Sequence, residues 1–246
     1  MTTTATMARP AEMSPKTMAR LIGVLLLATM VGGGFAQGYV AGSIVVAGDV
    51  AATASNIMAR ETLYRVGLAV YLIEMACQIA MTILSYELLK PVSRTAAALA
   101  LAFGLIGCTI KTLARLFYAA PLLVLGGAPF LGVFNPEQLQ SLAFLSFRME
   151  YTVEAIAMVF FGFHTLLTGY LVVRSTFLPS ALGVISIVGG LGWSLYLYEP
   201  LAHQLQTWIV GVGVLGALFK VLWFLVKGVD EQRWREQAGR AAVSVG

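Results

Sequence analysis

The chain has 246 residues, 59% of them hydrophobic and only 11% charged, against roughly 25% charged in soluble domains. This composition excludes an ordinary water-soluble domain, and the formal net charge of +4 does not point to nucleic acid. The basic residues stand at the ends of apolar runs, with no aromatic-interleaved patch or recognisable module.

Six apolar runs reach the length of about 20 residues that a helix needs to cross the hydrocarbon core, near 20–42, 64–88, 97–120, 141–171, 178–198 and 206–227. They are continuous and rich in Leu, Ala and Gly, without the alternating ten-residue segments of an outer-membrane barrel. The expected fold is therefore all-α, a polytopic membrane bundle of six transmembrane helices over 18–228. A disordered cytoplasmic lead over 1–17 precedes it, and a mixed, frayed cytoplasmic tail over 229–246 follows. Arg20, the apolar run 21–30 and the small residues before Gln37 also resemble a signal peptide ending at Ala36. The run continues apolar through Ala41, so it is read as the first span.

Arg9, Lys16 and Arg20 precede span one, Lys90 and Arg94 join spans two and three, Arg174 joins four and five, and Lys227, Arg233, Arg235 and Arg240 follow span six. Segments 121–140 and 199–205 carry no Lys or Arg and 43–63 only Arg60. By the positive-inside rule both termini are cytoplasmic. Gly32-Gly33-Gly34 in span one reads as a close-packing surface, with a kink as the alternative. In the first outer loop Asp49 is a good N-cap for a short extra helix that would cap the bundle from outside.

Span two reaches Glu74 about ten residues in, roughly 15 Å deep, with Gln78 one turn further. Span three runs the other way and ends near Pro121, placing Lys111 about 15 Å deep and Arg115 about 8 Å, on the face of Gly104, Gly107 and Tyr118. Asn135-Pro136-Glu137-Gln138 is a strong helix start for span four. That span carries Glu150, Glu154 and His164 within about 40° of one face and Arg148 on nearly the opposite one. Spans five and six are glycine-rich, with Gly189, Gly190, Gly192, Gly211, Gly213 and Gly216 as packing signals and Lys220 snorkelling to the inner surface. Cys77 and Cys108 both fall inside spans and are read as core packing rather than a disulfide framework.

The stretches Met18-Ala19-Arg20-Leu21-Ile22-Gly23, Gly48-Asp49-Val50-Ala51-Ala52-Thr53-Ala54, Tyr86-Glu87-Leu88-Leu89-Lys90-Pro91-Val92, Asn135-Pro136-Glu137-Gln138-Leu139-Gln140 and Phe160-Phe161-Gly162-Phe163-His164-Thr165-Leu166-Leu167-Thr168-Gly169-Tyr170-Leu171, the last followed by Arg174-Ser175, resemble a bacterial six-helix membrane family catalogued as domain of unknown function 4386. The resemblance covers about 18–228. It implies a multi-pass protein of the bacterial cytoplasmic (inner) membrane and brings no activity, cofactor or catalytic residue with it.

Intramembrane charge is costly unless paired or hydrated, so it marks the candidate site. Two histidines at different depths do not make a zinc or haem site, and H-E-x-x-H, G-x-S-x-G and phosphate-loop motifs are absent from the sequence. No catalytic residue, metal or cofactor is assigned, and the chain leans away from an enzyme. Glu74, Gln78, Lys111, Arg115, Glu150 and Glu154 are expected to line an outward-facing polar cavity that binds or moves a small polar, anionic or lipid-headgroup ligand, with His164 a separate, deeper candidate. The alternative is a non-catalytic membrane partner, an assembly or sensor subunit working through the glycine faces of spans five and six, whose buried charges form a structural ion-pair network. The expected partners are the lipid bilayer, such a ligand or a membrane protein, and not nucleic acid.

Overall fold

The computed structural model describes residues 13–243. Residues 1–12 of the expected lead over 1–17 and the tail end 244–246 lie outside the described residues, and residues 15–17 of that lead are helical. Ser14 accepts a hydrogen bond from the Thr17 amide and starts α1 (Pro15–Gly33), with Pro15 at its first position, where the missing N–H is not needed. The helix runs on through a π-helical segment, Gly34–Ala41, into α2 (Gly42–Ile44). There follow α3 (Val50–Ala59), α4 (Glu61–Leu89), α5 (Arg94–Leu125), α6 (Pro136–Arg174), α7 (Ser180–Ser194), α8 (Glu199–Val226) and α9 (Glu231–Val243).

Six helical stretches among the described residues are long and apolar enough to cross a membrane: Pro15–Ile44, Glu61–Leu89, Arg94–Leu125, Pro136–Arg174, Ser180–Leu197 and Glu199–Val226. Each packs on its neighbours in sequence, and α8 returns to α1, so the six close into a ring. Glycines bring the backbones together. A Cβ at Gly169 would stand 2.8 Å from the Gly183 carbonyl oxygen, and one at Gly190 would stand 2.8 Å from the Leu166 amide nitrogen. These close approaches give α6 and α7 their extensive contact, as small residues do where lipid supplies no hydrophobic drive between helices.

Two apolar clusters lie towards opposite ends of the ring. One gathers Ile22, Leu88, Leu171, Leu182, Phe224 and Val229 beside the loops that carry Lys90, Arg94 and Arg174. The other gathers Val40, Ile44, Ile57, Tyr64, Tyr71 and Tyr118. Helix α3, capped by the Asp49 carboxylate on the Ala52 amide, buries Thr53, Ala54 and Ile57 against this second end.

Two boundaries differ from the sequence reading. Pro121 does not end α5, which continues to Leu125 with Pro121 buried inside it. A proline in a helix removes one backbone bond, and a membrane helix tolerates this where neighbouring groups re-satisfy the freed carbonyl. The tail is not frayed up to Val243. Gly228, at φ +69, turns the chain out of α8, and α9 then docks by Trp234, whose indole donates to the Leu88 carbonyl at 2.9 Å. Gln237 accepts from the Thr176 amide at 3.0 Å. An apolar residue within a charged run fixes this helix, a signal that composition averages away.

Candidate functional site

Between the two apolar clusters lies a layer of charge. The depth match that pairs these residues survives the shift in helix boundaries. Glu74 lies 13 residues from the start of α4 and Lys111 lies 14 from the end of α5, so both stand about 20 Å in from the α3 end of the ring. Antiparallel neighbours then bring them side by side. The Lys111 ammonium donates to Glu74 Oε1 at 3.0 Å and stands 3.6 Å from Glu154 Oε1. One turn along the same face of α5, Arg115 forks across α6, pairing Glu150 through Nη1 and Glu154 Oε1 through Nη2 at 2.5 Å. Its guanidinium carbon lies 3.7 Å from the Tyr71 ring centroid. Only 2% of the Arg115 side chain is accessible, against 16% for Glu154 and 12% for Glu150, so the network is sealed on the α5 side and reachable on the α6 side.

Residues from three spans thus form one connected network, and a fourth span completes it. Gln37, from the π-helical segment across the ring, donates from Nε2 to Glu154 Oε1 at 3.0 Å. Gln37 is itself exposed, so the network reaches an accessible surface there. Sequence reasoning passed over both Gln37 and Tyr71. A neutral amide near a span end carries no charge to flag it, yet polar side chains in spans are interhelical hydrogen bonders as a class, and that rule would have found Gln37. Gly33 supports this side, since a Cβ there would meet only Glu74 Oε1 at 3.8 Å and Cδ at 3.9 Å, ordinary contact distances. The glycine stretch thus makes ordinary contacts at Gly32 and Gly33, where a Cβ would fit, and changes helical register from Gly34 onwards.

The network is roofed by aromatic rings. Tyr64 and Tyr118 stack with centroids 4.3 Å apart, and Phe147 meets both edge-on. Tyr71 stands edge-on to Tyr118 and faces Arg115. Ile57 of α3 joins the same cluster. Such rings exclude water from a cation while their faces attract it.

The other expected site residues lie apart. Gln78 is half-buried one turn deeper than Glu74, and its side chain makes none of the network's bonds. His164, buried, donates from Nδ1 to the Ala100 carbonyl at 2.8 Å, a bond from α6 to α5. It lines a narrow crevice, with no room for a water, together with Thr82, Ser85 and Thr168. Gly104 makes room for the imidazole, since a Cβ there would come within 2.8 Å of Nδ1. Arg148 is exposed and outside the network. The second histidine, His203, stacks on Tyr151.

Three carboxylates face two cations, so the layer has one negative charge in surplus. All three glutamates make their bonds through Oε1 alone. The remaining oxygen of Glu74, Oε2, is buried without a hydrogen-bond partner among the described residues, as is Arg115 Nε. The arrangement can accept positive charge, and its two cations are already engaged.

No curated protein and no solved structure matches the chain. A family model described as Domain of unknown function (DUF4386) matches residues 21–228. That span takes in five of the apolar helices whole, the first from residue 21 onwards, and every residue of the charge layer, and the chain belongs to the DUF4386 family.

Proposed function

We propose that this is a multi-pass protein of the bacterial cytoplasmic membrane that binds or moves a small polar ligand or lipid headgroup at the Glu74, Lys111, Arg115, Glu150, Glu154 and Gln37 layer. The convergence of five charged side chains from three spans on one connected network carries this reading. Both termini are taken as cytoplasmic because the basic loops and α9 gather at one end. On that orientation α3 and the aromatic roof lie on the outer side of the layer, whose accessible edge is at Gln37 and the α6 carboxylates. The surplus carboxylate and the engagement of both cations favour a ligand that presents a cationic group. An anion would have to displace a glutamate from Lys111 or Arg115.

The test uses purified protein in nanodiscs, warmed with choline or with inorganic phosphate. At ten times its Kd, choline is expected to stabilise by roughly 1.4 kcal/mol, a rise of about 3–5 °C in Tm. Glu154→Gln is expected to fold and to lose that rise. Stabilisation by phosphate alone would reverse the assigned charge. Loss of expression of both Glu154→Gln and Lys111→Met would leave the network purely structural.

That second reading, a non-catalytic assembly or sensor subunit with a structural ion-pair layer, draws support from the internal pairing of both cations. The glycine faces proposed for its partner are partly taken up within the chain, Gly190 by Leu166, Gly213 by Trp193 and Gly216 by Ile185, while Gly211 faces open space. A stable second protein co-purifying in mild detergent would favour it.

A further inference from the structure

The charge layer has one carboxylate more than its cations can balance, and that surplus sits inside a membrane-spanning ring. An unbalanced charge at this depth is unfavourable by a few kcal/mol or more, so the layer takes up a compensating positive charge. Two positive charges need no dedicated set of metal ligands, a proton and an organic ammonium. Glu74 supplies a second, independent observation. Its side chain is more than nine-tenths buried, and Oε2 accepts nothing.

The three carboxylates differ in how well they are matched. Glu74 has only Lys111, at 3.0 Å, which it shares with Glu154. Glu154 has Arg115, Lys111 and the Gln37 amide on one oxygen. Glu150 has only Arg115, which it shares with Glu154. Glu74 and Glu150 are thus matched alike, each by one shared cation, and of the two Glu150 keeps the more accessible side chain, 12% against 9%, so a proton can come and go there. Around it stand Lys111, Arg115 and Tyr118 from α5, Glu74, Tyr64 and Tyr71 from α4, and Glu154 on its own helix. Neither α3 nor α7 contributes a charged residue.

We infer that Glu150 carries an exchangeable proton, and that the ammonium group of a ligand replaces this proton when it enters the layer, so that binding releases one proton. The exchange rests on the ligand site proposed above; the proton does not. When the ligand's cation arrives, the Glu150 O–H bond gives up its proton to solvent and the carboxylate charge is balanced by the ammonium. The layer keeps the same net charge throughout, which allows exchange without the expense of an unpaired ion. The source of the ammonium, a free small molecule or a phospholipid headgroup, is a matter for the assay.

Infrared difference spectroscopy of the protein in nanodiscs reads the protonated carboxyl directly. Near neutral pH the wild type is expected to show one C=O stretch of a protonated carboxyl per chain, lost on titration to higher pH. The band should be absent from Glu150→Gln and doubled in Lys111→Met. A wild type without the band overturns the proton, and this needs no variant to fold. A band that survives Glu150→Gln overturns its seat. Choline is then added in weak buffer with a pH indicator, and release of about one proton per chain is expected. Choline that raises Tm without releasing a proton overturns the exchange. Choline that neither binds nor releases a proton overturns the proposed function and the exchange together, while the band alone decides the proton. Release by free choline, against release only by nanodiscs of phosphatidylcholine or phosphatidylethanolamine, separates the two ligand sources.

Discussion

Arg115 is the side chain on which the layer turns, because it makes three contacts that no other residue type makes together. Its planar fork bridges Glu150 and Glu154 while its face lies on Tyr71. Lysine at this position has a single ammonium and no plane to stack. Arg115→Lys is expected to lower stability by about 3 kcal/mol, the scale of a broken buried pair, although formal charge is conserved. Tyr71→Phe keeps the ring and is expected to be near neutral, whereas Tyr71→Leu should lose about 2 kcal/mol, the upper range of a desolvated cation–π contact. Thermal unfolding of the three variants in one detergent measures both effects. At this scale the sequence was legible where charge met depth. Glu74, Lys111, Arg115, Glu150 and Glu154 could be grouped by counting residues from span ends. Gln78 was grouped with them by its face on α4, but one helical turn carries a side chain about 5.4 Å further along the axis, past the layer. Tyr71 gave no signal, because an aromatic residue in a span is as consistent with packing as with a cation.

Helix pairing depends on glycines whose importance differs from that suggested by their sequence context. Gly169 and Gly211 both lie in apolar helices, yet a Cβ at Gly169 would meet the Gly183 carbonyl oxygen at 2.8 Å and the Ile187 amide at 2.9 Å, while one at Gly211 would meet nothing within 4 Å. Backbone atoms cannot step aside as a flexible side chain can. Gly169→Ala is therefore expected to separate α6 from α7 and to abolish a monodisperse preparation or lower Tm markedly, whereas Gly211→Ala should stay within roughly 1 kcal/mol of the parent. Size-exclusion profiles and melting curves of the pair compare them directly. Six spans and the Asp49 and Asn135 N-caps could be read from sequence, because hydropathy and capping are local. The π-helical segment could not. It accompanies the reach of Gln37 to Glu154 across the ring, a contact between residues 117 positions apart that no local pattern encodes.

Taken whole, the ring is polar along its axis in a way that should fix its direction in the bilayer. One end gathers Lys90, Arg94, Arg174 and Lys227 with the docked α9, whose Arg233 donates to the Thr176 carbonyl. The opposite end carries α3, which has no charged residue, and the exposed apolar segment with Phe130 and Val133. Translocating Lys and Arg is disfavoured, and the proposed orientation therefore puts the first end in the cytoplasm. On that proposed orientation the charge layer, about 20 Å in from the α3 end, lies nearer the outer surface, as a site loaded from outside requires. Single cysteines introduced into a chain with Cys77 and Cys108 replaced by alanine test this in intact cells. Val133→Cys is expected to react with a membrane-impermeant maleimide before lysis, and Arg235→Cys only after it. The reverse pattern would put the layer nearer the cytoplasm, and a ligand would then have to be sought among intracellular amines.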